Sequence, residues 1–255
     1  MQYHKRKDLF NMIRIILTFL FVIIFLILSI PIQLVEWIVG LINKNAKSRS
    51  SLAIVHWAFH VIIFLAGTKL TILGEENVPT EEPVLYVLNH RSFFDIILTY
   101  VRVPRLTGYV AKKEMLHYLT LTQWMKNLHC EFLDRSDIRK GMKTISDCSD
   151  KINQGISIAI FPEGTRNKTE EPLLEFHKGS FKIAEKSGCK IVPVVLTNTS
   201  AIFEDHLPLI RKCPVIIEYL PPIDVAALDR DGKRGLCDLV QNQIREAYLK
   251  NLKML

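Results

Sequence analysis

Residues 84–95 read VLYVLNHRSFFD, five apolar residues that pass directly into a polar, charged turn. A bounded apolar run of that length suits a strand buried on both faces. The residues after it suit a turn opening into a helix, and in an α/β sheet that junction is where functional side chains gather. His90 can exchange a proton near neutral pH. Asp95 stands five residues on, one turn into the following helix. From there a carboxylate can fold back towards the imidazole, fix its tautomer and stabilise the imidazolium. The same spacing suits a plainer reading, with Ser92 as a helix N-cap and His90 merely packed. The sequence contains no G-x-S-x-G elbow, no HExxH and no EF-hand pattern. If His90 is a base, the hydroxyl it activates therefore belongs to a substrate.

Outward from this stretch, apolar runs of strand length alternate with helical patterns. Strands are expected at Tyr109–Ala111, Asn127–Leu133, Ile156–Phe161, Ile191–Leu196 and Val215–Leu220. Helices are expected near 113–126, 137–153, 177–187 and 232–252, and Leu70–Glu82 reads as a connector. This alternation implies an α/β fold, a mostly parallel central sheet flanked by helices. Pro193 splits one strand and points to an edge position or a misplaced boundary there.

Several of these strands end in chemistry-bearing residues. Phe161–Arg166 reads FPEGTR: Pro162 stiffens the turn, Gly164 allows close backbone approach, and Arg166 offers a planar fork suited to phosphate. Phe176–Phe181, FHKGSF, adds a cation and a glycine at a helix start. Phe132–Arg135, FLDR, adds a guanidinium, and Lys112 and Lys113 follow the strand at 109–111. Each alone reads as a solvated turn or a surface ion pair. Their convergence on strand ends around one histidine carries more weight than any single motif.

The chain has 255 residues, 49% apolar and 23% charged, which excludes wholesale disorder and leaves room for one domain plus an appendage. Its net charge is +7, but the excess is local. Residues 1–50 hold seven bases (Lys5, Arg6, Lys7, Arg14, Lys44, Lys47, Arg49) against Asp8 and Glu36, or +5 of that total. A nucleic-acid-binding domain would carry its excess in the folded body. Here it flanks the most apolar part of the chain, a pairing that suits an anionic membrane surface.

Ile15–Val35 is 21 residues without a charge, enough to cross a bilayer, and too long for the core of a cleaved signal peptide. A second apolar run, Leu52–Ala66, has 15 residues, short for a span. A single span would put the basic flanks on opposite faces, against the positive-inside rule. The preferred reading is a monotopic hairpin that enters one leaflet and returns, bent near Ser29, Pro31 and Gln33. It would keep residues 1–14, 43–51 and everything after 67 on one side. Residues 1–67 then form a membrane-anchoring segment and 68–255 a catalytic domain. His56 and His60, at i, i+4 on an apolar helix, read as interfacial residues rather than a metal pair. Five cysteines without regular spacing suit reduced thiols.

The four stretches NHRSFFD, FLDR, FPEGTR and IVPVVL, in this order between residues 89 and 196, resemble the glycerolipid acyltransferase family, and most of all its 1-acyl-sn-glycerol-3-phosphate acyltransferases. The resemblance implies acyl transfer within a ternary complex. His90 would be the general base, oriented by Asp95. Glu163, Gly164, Thr165 and Arg166 would shape the acceptor site, with Arg166 on its phosphate and Arg135 and Lys112 assisting. Pro193 would lie on the acyl-donor side. The donor would be acyl-CoA or acyl-carrier protein, the acceptor lysophosphatidic acid, and the product phosphatidic acid for phospholipid synthesis. No cofactor, metal or nucleic acid is expected. The expected location is a bacterial inner membrane, with the catalytic domain on the cytoplasmic face. Another lysophospholipid, a lyso-aminolipid or glycerol 3-phosphate remains open as acceptor, as does a non-catalytic membrane-surface protein of the same fold. The second motif of the family often begins with Gly three residues before its Phe. This chain has His129 there, which places the acceptor geometry in question.

Overall fold

A computed structural model describes residues 2–255, with side chains from Leu9 onward, so the basic flank Lys5, Arg6 and Lys7 lies outside the described side chains. The chain clusters into two compact units. One contains the residues up to Thr71 with Arg91–Val103 and Asn198–Val215; the other contains Ile72–His90, Pro104–Thr197 and Ile216–Leu255.

The first unit is built on α1 (Gln2–Ile42) and α2 (Lys44–Ala66). Asn43 caps α2, its side chain accepting from Ala46 N–H, and Gly67 ends the helix at φ +68°, in the left-handed region that favours glycine. The pair is antiparallel. Arg14 donates to the Leu65 and Ala66 carbonyls, the ring of Phe21 meets Trp57 at 5.8 Å, and Ser50 donates to Glu36 at 3.0 Å. Arg14 thus supplies both charge and donors to the unsatisfied C-terminal turn of α2.

α1 is continuous through Pro31, which removes one helical donor without ending the helix. Asn43 therefore sits at the opposite end of the pair from Arg14, about 34 Å away over the length of α2. α1 thus runs unbroken through Ser29, Pro31 and Gln33, where a bend was expected. The second helix is also longer than its apolar run, because it extends through Ser48 and Ser51, whose small side chains face inward and are buried. Both helices are long and apolar enough to cross a membrane. Most of the large side chains of α1 from Leu9 to Ile42 are exposed, a surface that suits lipid and not water.

α3 (Phe94–Tyr100) belongs to the same unit. Tyr100 packs edge-on against Phe59 and His56 of α2, at 5.9 and 6.3 Å between ring centroids. His60 Nδ1 donates to the His56 carbonyl, so this histidine pair serves helix packing.

The second unit carries most of the sheet. The strands are β1 (Lys69–Leu73), β2 (Leu85–Leu88), β3 (Thr107–Lys112), β4 (Glu131–Leu133), β5 (Ser157–Ile160), β6 (Lys190–Thr197), β7 (Pro214–Tyr219) and β8 (Ile223–Asp224), of which Lys69–Thr71 and Pro214–Val215 belong to the first unit. The order is β1-β7-β6-β2-β5-β3-β4, with β8 also on β6. The pairs β2–β5, β2–β6, β3–β5 and β3–β4 are parallel, and β7 and β8 run antiparallel to β6. The mostly parallel α/β reading therefore holds. The expected connector at 70–82 contains β1, a short strand whose Lys69 and Thr71 side chains remain exposed.

Pro193 is not at an edge. It pairs with Val87 inside the sheet. On its other side β8 covers Lys190 and Ile191 while β7 covers Val194–Thr197, so the missing donor falls where the partner strand changes and no ladder bond is lost.

The helices of this unit are α4 (Leu119–Asn127), α5 (Ile138–Asn153), α6 (Lys182–Ser187) and α7 (Arg230–Leu252). Their signals are local. Asp137 and Asp229 cap α5 and α7 by accepting from Lys140 and Gly232 N–H. Buried residues recur at helical spacing, Thr144, Cys148 and Ile152 on α5 and Leu236, Val240 and Ile244 on α7. These faces join Leu85, Val87, Ile158, Ile160, Ile191 and Val195 of the sheet in one core. Each such side chain contributes about 1.5–3 kcal/mol on burial.

Candidate active site

The parallel strands bring four C-terminal ends to one edge of the sheet. β2 leads to His90, β5 to Glu163–Arg166, β3 ends at Lys112, and β4 leads to Arg135. β2 and β5 are neighbours. The chain leaves β2 towards β3 on one side and leaves β5 towards β6 on the other, so the order reverses between them. A crevice opens at such a reversal.

His90 is held from three directions, each by the segment after β5. Its main-chain N–H donates to Glu163 Oε1 at 2.7 Å. Its carbonyl accepts from Asn167 N–H at 2.7 Å. Its imidazole stacks on Phe161, with centroids 4.1 Å apart and planes 22° apart. The neighbouring Asn89 is fully buried, and its amide both donates to the Leu196 carbonyl and accepts from Leu196 N–H. That amide does what a further strand residue would do and extends the β2–β6 ladder up to His90.

Glu163 is buried, and its second oxygen accepts from Leu174 N–H at 2.8 Å. Its carboxylate thus binds two main-chain donors, and the turn that follows is left to present side chains. Gly164 N–H donates to the Phe161 carbonyl, and Gly164 stands at φ +74°. A Cβ there would lie 2.8 Å from Arg135 Nη1 and 3.1 Å from His177 Cδ2. A glycine is therefore needed both for the turn and for the close approach of two side chains from elsewhere. His177 N–H also donates to the Pro162 carbonyl, which ties FHKGSF to FPEGTR.

Thr165 is exposed and Arg166 half-buried on the same turn. Burial lowers the Arg135 pKa somewhat from its ordinary value. Lys112 is exposed at the end of β3. Lys113 is already engaged: it donates to Asp134 at 2.8 Å, and this hydrogen bond is the main reason the Asp134 carboxyl falls to about 2. Of the expected residues, the structure thus gathers His90, Glu163, Gly164, Thr165, Arg166, Arg135 and Lys112 at one edge. It does not bring Pro193 there, since Pro193 is buried within β6, level with Val87.

His129 also lies away from this edge. It has φ +61°, and it precedes β4, whereas Arg135 follows it. The carbonyl of His129 packs on Gly108 and accepts from Lys151. A left-handed residue at this point explains why glycine suits the position.

In the first unit, Asp95 is fully buried near the start of α3. Its Oδ2 accepts from Arg91 N–H and Ser92 N–H, both at 2.7 Å. The Ser92 hydroxyl accepts from Phe94 N–H at 2.9 Å, but the N-cap position of α3 is Phe93, one residue past the Ser92 of the plainer reading. Its hydroxyl also donates to Glu204 Oε2, and Phe93 N–H donates to Glu204 Oε1, both at 2.7 Å. Sequence reasoning singled out neither Asn89, Asn167 nor Glu204. Asn89 opens the quoted NHRSFFD and Asn167 directly follows FPEGTR, so both could have been found there, while Glu204 has no local signal.

Comparison with known proteins bears on this geometry. Residues 69–197 match the family model described as "Acyltransferase". The 1-acyl-sn-glycerol-3-phosphate acyltransferase of Haemophilus influenzae is 32% identical, the match covering 78% of this chain and 84% of that protein. The enzyme of that name from Borreliella burgdorferi is 30% identical over 77% of this chain and 78% of its own length. Its namesake from Cocos nucifera is 32% identical over 66% of this chain, and the chain spans only 54% of that relative's length. The crystal structure of the 1-acyl-sn-glycerophosphate acyltransferase of Thermotoga maritima has the same fold, with a TM-score of 0.81 over 97% of this chain and 98% of that one at 19% identity.

Proposed function

The chain belongs to the acyltransferase family, and on that premise we propose that it moves an acyl group from acyl-CoA or acyl-carrier protein to the free hydroxyl of 1-acyl-sn-glycerol 3-phosphate, giving phosphatidic acid. The observation that carries this reading is one sheet edge where a histidine fixed by Glu163, Asn167 and Phe161 stands among the cationic residues Arg135, Arg166 and Lys112. A base and a set of cations are what a phosphate-bearing alcohol requires.

A ring nitrogen of His90 takes the proton of the acceptor hydroxyl as the oxygen attacks the thioester carbonyl. The tetrahedral intermediate collapses, the C–S bond breaks, and the proton passes from His90 to the departing thiolate. Asp95 orients His90 and stabilises its cationic form. Arg166 binds the acceptor phosphate, with Arg135 and Lys112 adding charge, and no covalent acyl-enzyme is formed. The acceptor carries one acyl chain and the product two, so both reside at a bilayer. The apolar helix pair supports a location there, and we assign the enzyme to the cytoplasmic face of a bacterial inner membrane.

The test is thiol release from acyl-CoA by the purified chain in detergent, with and without lysophosphatidate. Release that requires lysophosphatidate is expected. Release without acceptor would make the protein a thioesterase, and release only with another lysolipid would change the acceptor. Arg166→Ala is expected to raise the acceptor KM about tenfold, the cost of one charge-assisted bond, and to leave the donor KM within about twofold. Equal effects on both substrates would remove Arg166 from the phosphate.

A further inference from the structure

The loop that carries the chain from His90 into α3 is gripped by two carboxylates. Asp95 takes the N–H groups of residues 91 and 92. Glu204 takes the N–H of Phe93 and the hydroxyl of Ser92, and that hydroxyl takes the N–H of Phe94. All four successive main-chain donors thus end on one of these carboxylates, directly or through Ser92. α3 has only seven residues, and the far end of this short helix rests on α2 through Tyr100. Its start rests on Glu204, more than a hundred residues away along the chain.

The segment that delivers Glu204 is itself braced. Ile202 is fully buried, its carbonyl accepts from Arg211 N–H, and Ser200 donates to Asp205 at 3.0 Å. A short helix fixed at both ends has a defined pitch, and the carboxylate of Asp95 in its first turn then has a defined direction.

We propose that Glu204 is a positioning residue for the acyl-transfer reaction, holding Ser92 and Phe93 so that the buried Asp95 carboxylate keeps the orientation its partnership with His90 requires. Glu204 acts through its bonds to Ser92 and Phe93. The inference rests on the acyl-transfer reading above. Losing this hold frees the first turn of α3 to shift, and displacements of about 1 Å in a catalytic array lower rates about 100-fold.

The experiment compares Glu204→Ala and Glu204→Gln in the full chain, with oleoyl-CoA and lysophosphatidate as substrates, alongside peptide-level hydrogen exchange over residues 89–97. Glu204→Ala is expected to lower kcat about 30- to 100-fold while both KM values stay within about twofold, because binding groups are untouched. Glu204→Gln keeps an acceptor oxygen and is expected to recover most of that loss. Exchange over 91–95 is expected to quicken in the alanine variant. A kcat within twofold of the unaltered protein would overturn the proposal. So would a loss shared by kcat and both KM values, or one that glutamine does not relieve, since those mark general damage. If the unaltered chain transfers no acyl group to any lysolipid, the acyl-transfer reading fails and the proposal with it. Faster exchange in Glu204→Ala would then still mark the brace as structural, which separates the two failures.

Discussion

His90→Ala is expected to abolish lysophosphatidate-dependent thiol release, with kcat falling about 1,000-fold, near the middle of the range for loss of a general base. That is about 4 kcal/mol of transition-state stabilisation. The KM values are expected to move little, because the cations that hold the acceptor come from other strand ends. The fold is also expected to survive. The bonds that fix residue 90 are main-chain bonds, its N–H to Glu163 and its carbonyl to Asn167, and alanine keeps both. The ring stack on Phe161 is lost with the imidazole. Kinetics and a thermal midpoint measured on the same preparation check this. Full activity in the alanine variant would remove His90 as the base. Loss of activity together with a large drop in midpoint would instead point to a packing role.

The legible parts of this protein are those whose signal is local. An apolar pentapeptide before NHRSFFD, a tetrad before FPEGTR, and capped helices with buried residues every three or four positions each declare themselves within about twenty residues. Parallel pairing then follows from the alternation, and it alone sends His90, Arg166, Arg135 and Lys112 to one edge. The stretch at 127–133 shows where local reading stops. An apolar run suggested one strand, yet α4 persists to Asn127, His129 turns left-handed, and only Glu131–Leu133 extends β4 beside β3. The contact of the His129 carbonyl with Gly108, twenty-one residues earlier, accompanies that turn.

The polar braces were illegible for a related reason. Asn89 reaches Leu196 and Glu204 reaches Ser92 across more than a hundred residues, and a lone polar residue carries no mark of such a partner. The hairpin was legible as two apolar helices. Its geometry was not, because a proline inside an apolar helix can end, bend or simply interrupt one hydrogen bond, and here α1 runs on.

Glu163 decides between two uses of a carboxylate in FPEGTR. The family resemblance places it in the acceptor site, and the geometry engages both its oxygens with main-chain N–H groups, His90 on one and Leu174 on the other. Glu163→Ala leaves both donors unsatisfied in a site that is 4% exposed at the glutamate. Each such loss costs about 1–3 kcal/mol, so about 3–5 kcal/mol is expected in all. That is a large share of the 5–15 kcal/mol typical of a folded domain. The rate should fall with it, about 100-fold, because the freed N–H belongs to His90 itself and its shift displaces the base. Glu163→Gln separates the two uses. An amide has one acceptor oxygen and must aim its NH2 at a donor, so a brace loses stability and kcat together, by less than in the alanine variant. A group that binds substrate would instead raise the acceptor KM and leave the thermal midpoint alone. Because His90 and Leu174 flank the same carboxylate, hydrogen exchange should quicken at both segments in Glu163→Gln, and quickening at neither would return the glutamate to the substrate.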